Sequence, residues 1–271
     1  MLQNLHTHTI FCDGIDTAEE MVSAAIAKGF DSLGFSGHAP MCFPSDYDMS
    51  GSLGEYTREI KRLKKKYKGE IDIFLGCELD RYSEGLVYTG DFDYTIASVH
   101  HGFCNGVELP FDHKAELSQK AIDELFGGDK NAYVSLYFDT LCELPGAVGG
   151  DILGHFDVVS KFSEKHPTLI DTESEFYKKK ALETLHALRP FYEFYEINTG
   201  AMARGHRTSP YPAEFILREM KELNCKLIIT SDCHNSAFLD HGFDKARQLL
   251  SSVGFEESYY LGPNGFFGEK I

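Results

Sequence analysis

Short apolar runs alternate with amphipathic ones along the whole chain, and no other feature restricts the fold as strongly. Seven runs read as strands: Leu2–Thr7, Ser32–Ser36, Ile71–Leu75, Tyr94–Val99, Asp151–Leu153, Phe194–Ile197 and Lys226–Thr230. Helical patterns fall between and after them, at Thr17–Phe30, Leu53–Tyr67, Lys114–Leu125, Ala132–Leu144, Glu173–Leu188, Ala213–Leu223 and Phe243–Ser251. The first is the clearest, with Thr17 as N-cap, Glu20 as its capping-box partner and Gly29 as terminator. Repeated strand-then-helix order implies parallel strands joined by right-handed crossovers. About seven such units in 271 residues favour a closed α/β barrel over an open doubly wound sheet. No glycine-rich phosphate loop follows any strand, which supports that choice.

Composition excludes several classes of function. Hydrophobic residues make up 42% and charged residues 25%, ordinary for a globular protein, and no Gly/Ser/Pro-rich linker divides the chain, so a single domain over residues 1–271 is expected. No apolar run approaches the roughly 20 residues of a bilayer span, and the first strand does not resemble a signal peptide. A cytoplasmic location without membrane partners is the expectation. The seven cysteines contain no C-x-x-C pair, so neither a disulfide framework nor a cysteine metal site is indicated. A formal charge of −16 argues against a nucleic-acid partner, and the one basic run, Lys61–Gly69, reads as a solvated helix face. The sequence sets no oligomeric state.

In a parallel barrel the active site lies at the carboxyl ends of the strands, and there His, Asp and Glu gather. His6 and His8 end the first strand, two residues apart and therefore on one face, with Asp13 five further on. His38 follows the second strand, Glu78 the third, His100 and His101 the fourth, His155 the fifth, and Asp232 and His234 the seventh. The sixth offers Asn198, then Arg204, His206 and Arg207. Any one of these histidines alone reads more readily as a structural or exposed side chain than as a ligand. Their joint placement does not, because His113, His166, His186 and His241 fall on helical or loop segments. Imidazole with carboxylate suits zinc, iron or manganese better than calcium or magnesium. His6, His8, Asp13, His38, Glu78, His100, His155, Asp232 and His234 are too many ligands for one ion, so two or three are implied.

The segments "HTHTIFCDG", "GFDSLGFSGHAP", "GCELD", "DYTIASVHH", "GHFDVVSKF", "EINTGAMARG" and "TSDCH" resemble, in this order, the polymerase and histidinol phosphatase (PHP) family. The resemblance implies a distorted seven-stranded (β/α)7 barrel with three divalent metal ions, zinc, manganese or iron. "FCDG", "SVHH" and "EINTG" are most similar to the stand-alone members that hydrolyse L-histidinol phosphate in histidine biosynthesis. By position, one ion would take His6, His8, Glu78 and Asp232. A second would take Glu78 as a bridge with His100 and His155, and a third Asp13, His38 and His234. Asp13 departs from members with histidine there, and "GAMARG" departs from a commoner Ser-Gly-Leu-Arg pattern.

The mechanism so implied uses a hydroxide bridging two ions as nucleophile on a phosphate monoester. Arg204 is the first choice for a phosphate contact and Arg207 the second. Asp232 and His206 are rivals for delivering the leaving-group proton. Asp80, Tyr82, His101 and Asn198 are expected at the substrate wall. Selectivity is expected from the loops Pro40–Leu53, Arg81–Tyr88, Phe103–His113 and Ala201–Tyr211. The competing readings are a related phosphoesterase acting on nucleotides, which would show a basic groove, and a metal-binding module without chemistry, which would show substituted ligands.

Overall fold

The structure is a computed structural model and describes residues 1–45, 48–49 and 51–271, so the loop Pro40–Leu53 lies in part outside the described residues. In chain order the elements are β1 (Gln3–Asn4), α1 (Ala18–Ala27), β2 (Ser32–Phe35), α2 (Leu53–Lys66), β3 (Asp72–Asp80), β4 (Tyr94–Ser98), β5 (His101–Cys104) and β6 (Val107–Pro110). Then follow α3 (Ala115–Leu125), α4 (Lys130–Ala147), β7 (Ile152–Leu153), α5 (Glu175–Leu188), β8 (Phe194–Asn198) and α6 (Gly200–Ala203). The chain continues through α7 (Glu214–Glu222), β9 (Lys226–Thr230), α8 (Phe243–Val253), β10 (Glu257–Gly262) and β11 (Gly265–Lys270).

Seven strands pair in parallel in the order β1-β2-β3-β4-β7-β8-β9. The two ends of this sheet meet just beyond β1 and β9, where His8 N–H donates to the Cys233 carbonyl (2.9 Å) and Cys233 N–H to that of His6 (3.3 Å). Sequence pattern and structure agree on a nearly closed seven-stranded barrel. The closure has a chemical consequence, because the backbone bonds that join first and last strands set His6 and His8 beside Asp232 and His234.

The helices bury their apolar faces against the outside of the barrel in two large clusters. The Thr17 capping box at α1 is complete, with Thr17 Oγ1 accepting from Glu20 N–H and Glu20 from Thr17 N–H. A third, smaller cluster fills the barrel itself: Leu5, Phe74, Tyr94, Ile96, Ile152, Ile228 and Leu261. Leu261 comes from the β10–β11 hairpin, which the apolar pattern did not reveal. Its backbone N–H and carbonyl are both bonded by the Gln3 side chain, each at 2.8 Å, so the hairpin plugs the end of the barrel opposite the histidines.

Tyr94 lies fully buried in this interior, across the backbone of Gly76, where a Cβ would overlap its ring. Gly76→Ala therefore overpacks the barrel and is expected to cost about 1–3 kcal/mol, read as a lower midpoint in denaturant titration. An unchanged midpoint would show that the Tyr94 ring has room to move.

Candidate metal centre

All nine side chains expected as ligands converge at the carboxyl end of the barrel. Glu78 occupies the middle. Its Oε2 lies 3.1 Å from His6 Nε2, 3.5 Å from His8 Nε2 and 3.0 Å from His38 Nδ1. Its Oε1 lies 3.3 Å from His100 Nε2 and 3.0 Å from His155 Nε2. Around it, potential ligand atoms cluster as His6/His8/Asp232, His6/Glu78/His155, His38/Glu78/His100 and His8/Asp13/His38/His234. The expected set of Asp13, His38 and His234 recurs with His8 added, whereas His100 and His155, expected together on Glu78, fall in two different groups, and neighbouring groups share His6, His8, His38 and Glu78. Of the adjacent pair it is His100 whose ring enters these groups, while the His101 Nδ1 pairs with Glu108.

Local backbone explains the convergence. A parallel bridge sets His38 opposite Glu78 as β2 and β3 run on beyond their regular pairing. Asp232 adopts a left-handed conformation with φ 45°, a region that aspartate tolerates better than most residues and that collects at functional sites. The turn lets residues 232 and 234 approach His6, His8 and Asp13 together. Asp232 Oδ1 is 3.3 Å from His8 Nε2, and His234 Nε2 is 3.0 Å from Asp13 Oδ2.

The donor set fits divalent cations. His6 Nε2, His8 Nε2 and Glu78 Oε2 are buried, face one another and make no hydrogen bond among the described residues. Buried polar atoms left so cost about 1–3 kcal/mol each, a cost that a shared cation removes. Burial, then the adjacent rings of His234 and His38, bring His8 down to about 3, so it is a neutral imidazole with a lone pair to give. Burial alone would raise the Glu78 carboxyl, but the His6, His38 and His100 imidazoles outweigh it and hold it well below the usual carboxylate range. Asp232 is lowered in the same way against burial by Arg204 and His6.

The model of the PHP domain matches residues 4–200 of the sequence, which is most of the chain. The chain belongs to the PHP-domain family. A histidinol-phosphatase of Bacillus subtilis is 26% identical over 261 residues, covering 88% of this chain and 96% of that protein. A crystal structure from Listeria monocytogenes shares the fold with a TM-score of 0.76 at 24% identity, covering 90% and 99% of the two chains. The histidinol phosphate phosphatase of Lactococcus lactis, solved with zinc, L-histidinol and phosphate, has a TM-score of 0.66 at 23% identity and covers 98% of each chain.

In this PHP domain a second layer of side chains orients the ligands. His6 Nδ1 meets Glu196 Oε1 at 2.6 Å, and Glu196 Oε2 accepts from the His155 backbone N–H at 2.8 Å. Glu196 escaped the sequence reading because it lies inside β8, although it shares a strand face with Asn198. An ion pair of this kind fixes the imidazole tautomer and turns Nε2 toward the metal. Glu196→Gln is expected to weaken metal binding about 10- to 100-fold, measured by competition with a chelating dye. Unaltered affinity would make Glu196 a packing residue only.

Several residues expected at the substrate wall or as proton donor have partners within the protein. Asp80 Oδ2 accepts from the His100 backbone N–H (2.9 Å) and meets His100 Nδ1 (3.3 Å), so its carboxylate supports a ligand. Asn198 is fully buried, donating to Glu196 and accepting from Gly200 N–H. Arg207 turns its guanidinium toward Ser160 and Ser209 and over the Tyr211 ring, at 4.6 Å from the centroid. His206 packs edge-on against Phe162, with burial as the first cause and the cations Lys161 and Arg204 as further causes of its lowered pKa. The partners are near neighbours for Asn198 and distant ones for Asp80, His206 and, through Ser160, Arg207.

Above the ligands lies a cleft of about 240 Å³, lined by Asp13, His38, His100, Asp112, His113, Lys161, Arg204, Asp232 and His234. Arg204 donates to Asp232 Oδ2 and to the Asp232 carbonyl, both at 3.1 Å, and keeps 32% of its side chain exposed. Gly200 makes this approach possible, since a Cβ there would lie 2.9 Å from both the Arg204 guanidinium and the Asp232 carboxylate. Lys161, overlooked in the sequence, is buried and held by the Asp112 carbonyl (2.7 Å) and carboxylate (3.0 Å). His113, set aside as off-pattern, also lines the cleft. Beside it, the rings of Phe43, Tyr82 and Phe103 pack within 5.0–5.5 Å of one another, with His101 5.1 Å from Phe43.

Proposed function

We propose that this chain hydrolyses L-histidinol phosphate to L-histidinol and phosphate, using three divalent ions held by the nine converging side chains. The observation that carries the reading is that Arg204 and Lys161 line one cleft together with the candidate ligands Asp13, His38, His100, Asp232 and His234. The relatives named as histidinol phosphatases support the substrate. Bound cations in such a site supply an activated water and neutralise phosphate charge.

The chain's own residues do the rest. Arg204, held on Asp232 through one N–H of each terminal nitrogen, would turn the remaining N–H groups to phosphate oxygens, and Lys161 adds a point charge beside it. Asp232, next to His8 and Arg204, is placed to take a proton from the attacking water and return it to the departing alkoxide. Asp232 lines the cleft, whereas the His206 ring packs edge-on against Phe162, which favours Asp232 for that role. The Phe43, Tyr82 and Phe103 faces suit an organic cation, which the amine and imidazole of the substrate supply.

Arg204→Lys keeps the charge and loses the fork. It is expected to lower kcat/KM about 100-fold, or ~2.7 kcal/mol of transition-state stabilisation; a loss under threefold would remove Arg204 from phosphate recognition. The proposal as a whole is tested by phosphate release from L-histidinol phosphate beside sugar phosphates, nucleotides and a phosphodiester, with zinc- and manganese-loaded protein. The expected preference in kcat/KM is at least about 100-fold. Equal rates across the panel, or a nucleotide preference, would overturn the choice of substrate and leave the metal centre in place.

A further inference from the structure

The basic run at residues 61–69 is absorbed neither by the metal centre nor wholly by surface ion pairing. Arg62 pairs with Glu19 and Glu59, Lys66 with Glu19, and Lys64 with Asp93. Lys61, Lys65 and Lys68 form no ion pair among the described residues, and with Lys64 they stand along one side of α2 and the turn after it. Like charges at i and i+4 repel by about 0.2–0.5 kcal/mol, and among the described residues no ion pair offsets that for Lys61 and Lys65.

These lysines wall a groove of about 660 Å³, with Ile71 and, from β3, Ile73 and Phe74 on one side and Leu261, Gly262, Pro263 and Gly265 of the β10–β11 hairpin on another; Asp72 and Asp93, the latter paired with Lys64, also line it. The volume falls within the range of small-molecule sites, about 300–1,000 Å³. The groove sits at the start of β3, while Glu78 lies five residues further along from Ile73, about 16 Å at the rise of a strand. It is therefore at the opposite end of the barrel from the cleft.

We propose that this groove binds a small organic anion with an apolar body, at a site separate from the catalytic cleft. The apolar floor takes the body of the ligand and the three unpaired ammonium groups take its charge. Elsewhere the chain carries a large excess of acid, with a formal charge of −16 overall, so a long polyanion running past the groove would be repelled. A compact anion that ends within it would not.

The test uses metal-loaded enzyme at low ionic strength and the probe 8-anilinonaphthalene-1-sulfonate, followed by fluorescence titration. The uncharged N-phenyl-1-naphthylamine serves as a probe with the same aromatic body. Wild-type protein is expected to show one saturable sulfonate site. The triple variant Lys61→Gln, Lys65→Gln, Lys68→Gln should bind the sulfonate at least about tenfold more weakly, with phosphatase kcat/KM and Tm maintained and binding of the neutral probe unaltered. Absence of a saturable site in the wild type, equal sulfonate affinity in the variant, or an equal loss for both probes would each overturn the proposal. The catalytic measurement runs as a control, so failure of the substrate assignment would not be mistaken for failure of this site.

Discussion

Glu78→Gln is expected to lower kcat/KM by at least about 1,000-fold, or ~4 kcal/mol of transition-state stabilisation. Five imidazole nitrogens lie within 3.5 Å of this one carboxylate. Glutamine has nearly the same volume but no charge, and its amide N–H groups would point at lone pairs that metal ions should use. The loss should appear in metal content as well as in turnover, while the far-ultraviolet circular dichroism stays unaltered because the barrel interior below Glu78 is untouched. Activity within tenfold of wild type would mean that the metals do not need a shared carboxylate.

Removing the metals is the second large effect. A ligand that binds only the folded state stabilises it by RT ln(1 + [L]/Kd), about 4 kcal/mol at 1,000-fold saturation. For a chain of this size that corresponds to a fall in Tm of roughly 8–16 °C on chelation. The structural cause is plain: without cations, Glu78, Asp232 and Asp13 remain buried or half-buried among packed rings such as His8 and His234, whose centroids are 4.1 Å apart. In Glu78→Gln protein the same treatment should move Tm far less. Equal shifts in the two proteins would place the stabilising ions somewhere other than around Glu78.

Much of this arrangement is legible in the sequence because a parallel barrel collects its strand ends at one place. The i, i+2 spacing of His6 and His8, and the position of Asp232 and His234 after β9, needed only that rule. The reading faltered where inward-facing polar residues look like the end of a strand. β3 was expected to stop at Leu75 but continues to Asp80, since Gly76, Glu78 and Asp80 alternate on the inner face. Both hairpins escaped notice despite local signals. Asn105-Gly106 is a strong hairpin turn, with φ of 52° and 78°, and it joins β5 to β6 inside a segment read as a loop. Glu196, Asp112 and Lys161 were beyond reach for a different reason. Lys161 and Asp112 are 49 residues apart, and Glu196 meets His6 across 190, so their pairing exists only once the barrel closes.

The central claim is that nine side chains hold three catalytic ions, and the most direct measurement is to count them. Protein freed of metal would be titrated with zinc and with manganese while phosphate release from L-histidinol phosphate is followed. Anomalous scattering from crystals at saturation would then locate the ions. The account predicts three sites per chain, all within the group formed by His6, His8, Asp13, His38, Glu78, His100, His155, Asp232 and His234, and full activity only when they are filled. A single ion, activity complete at one equivalent, or ions outside this group would contradict it.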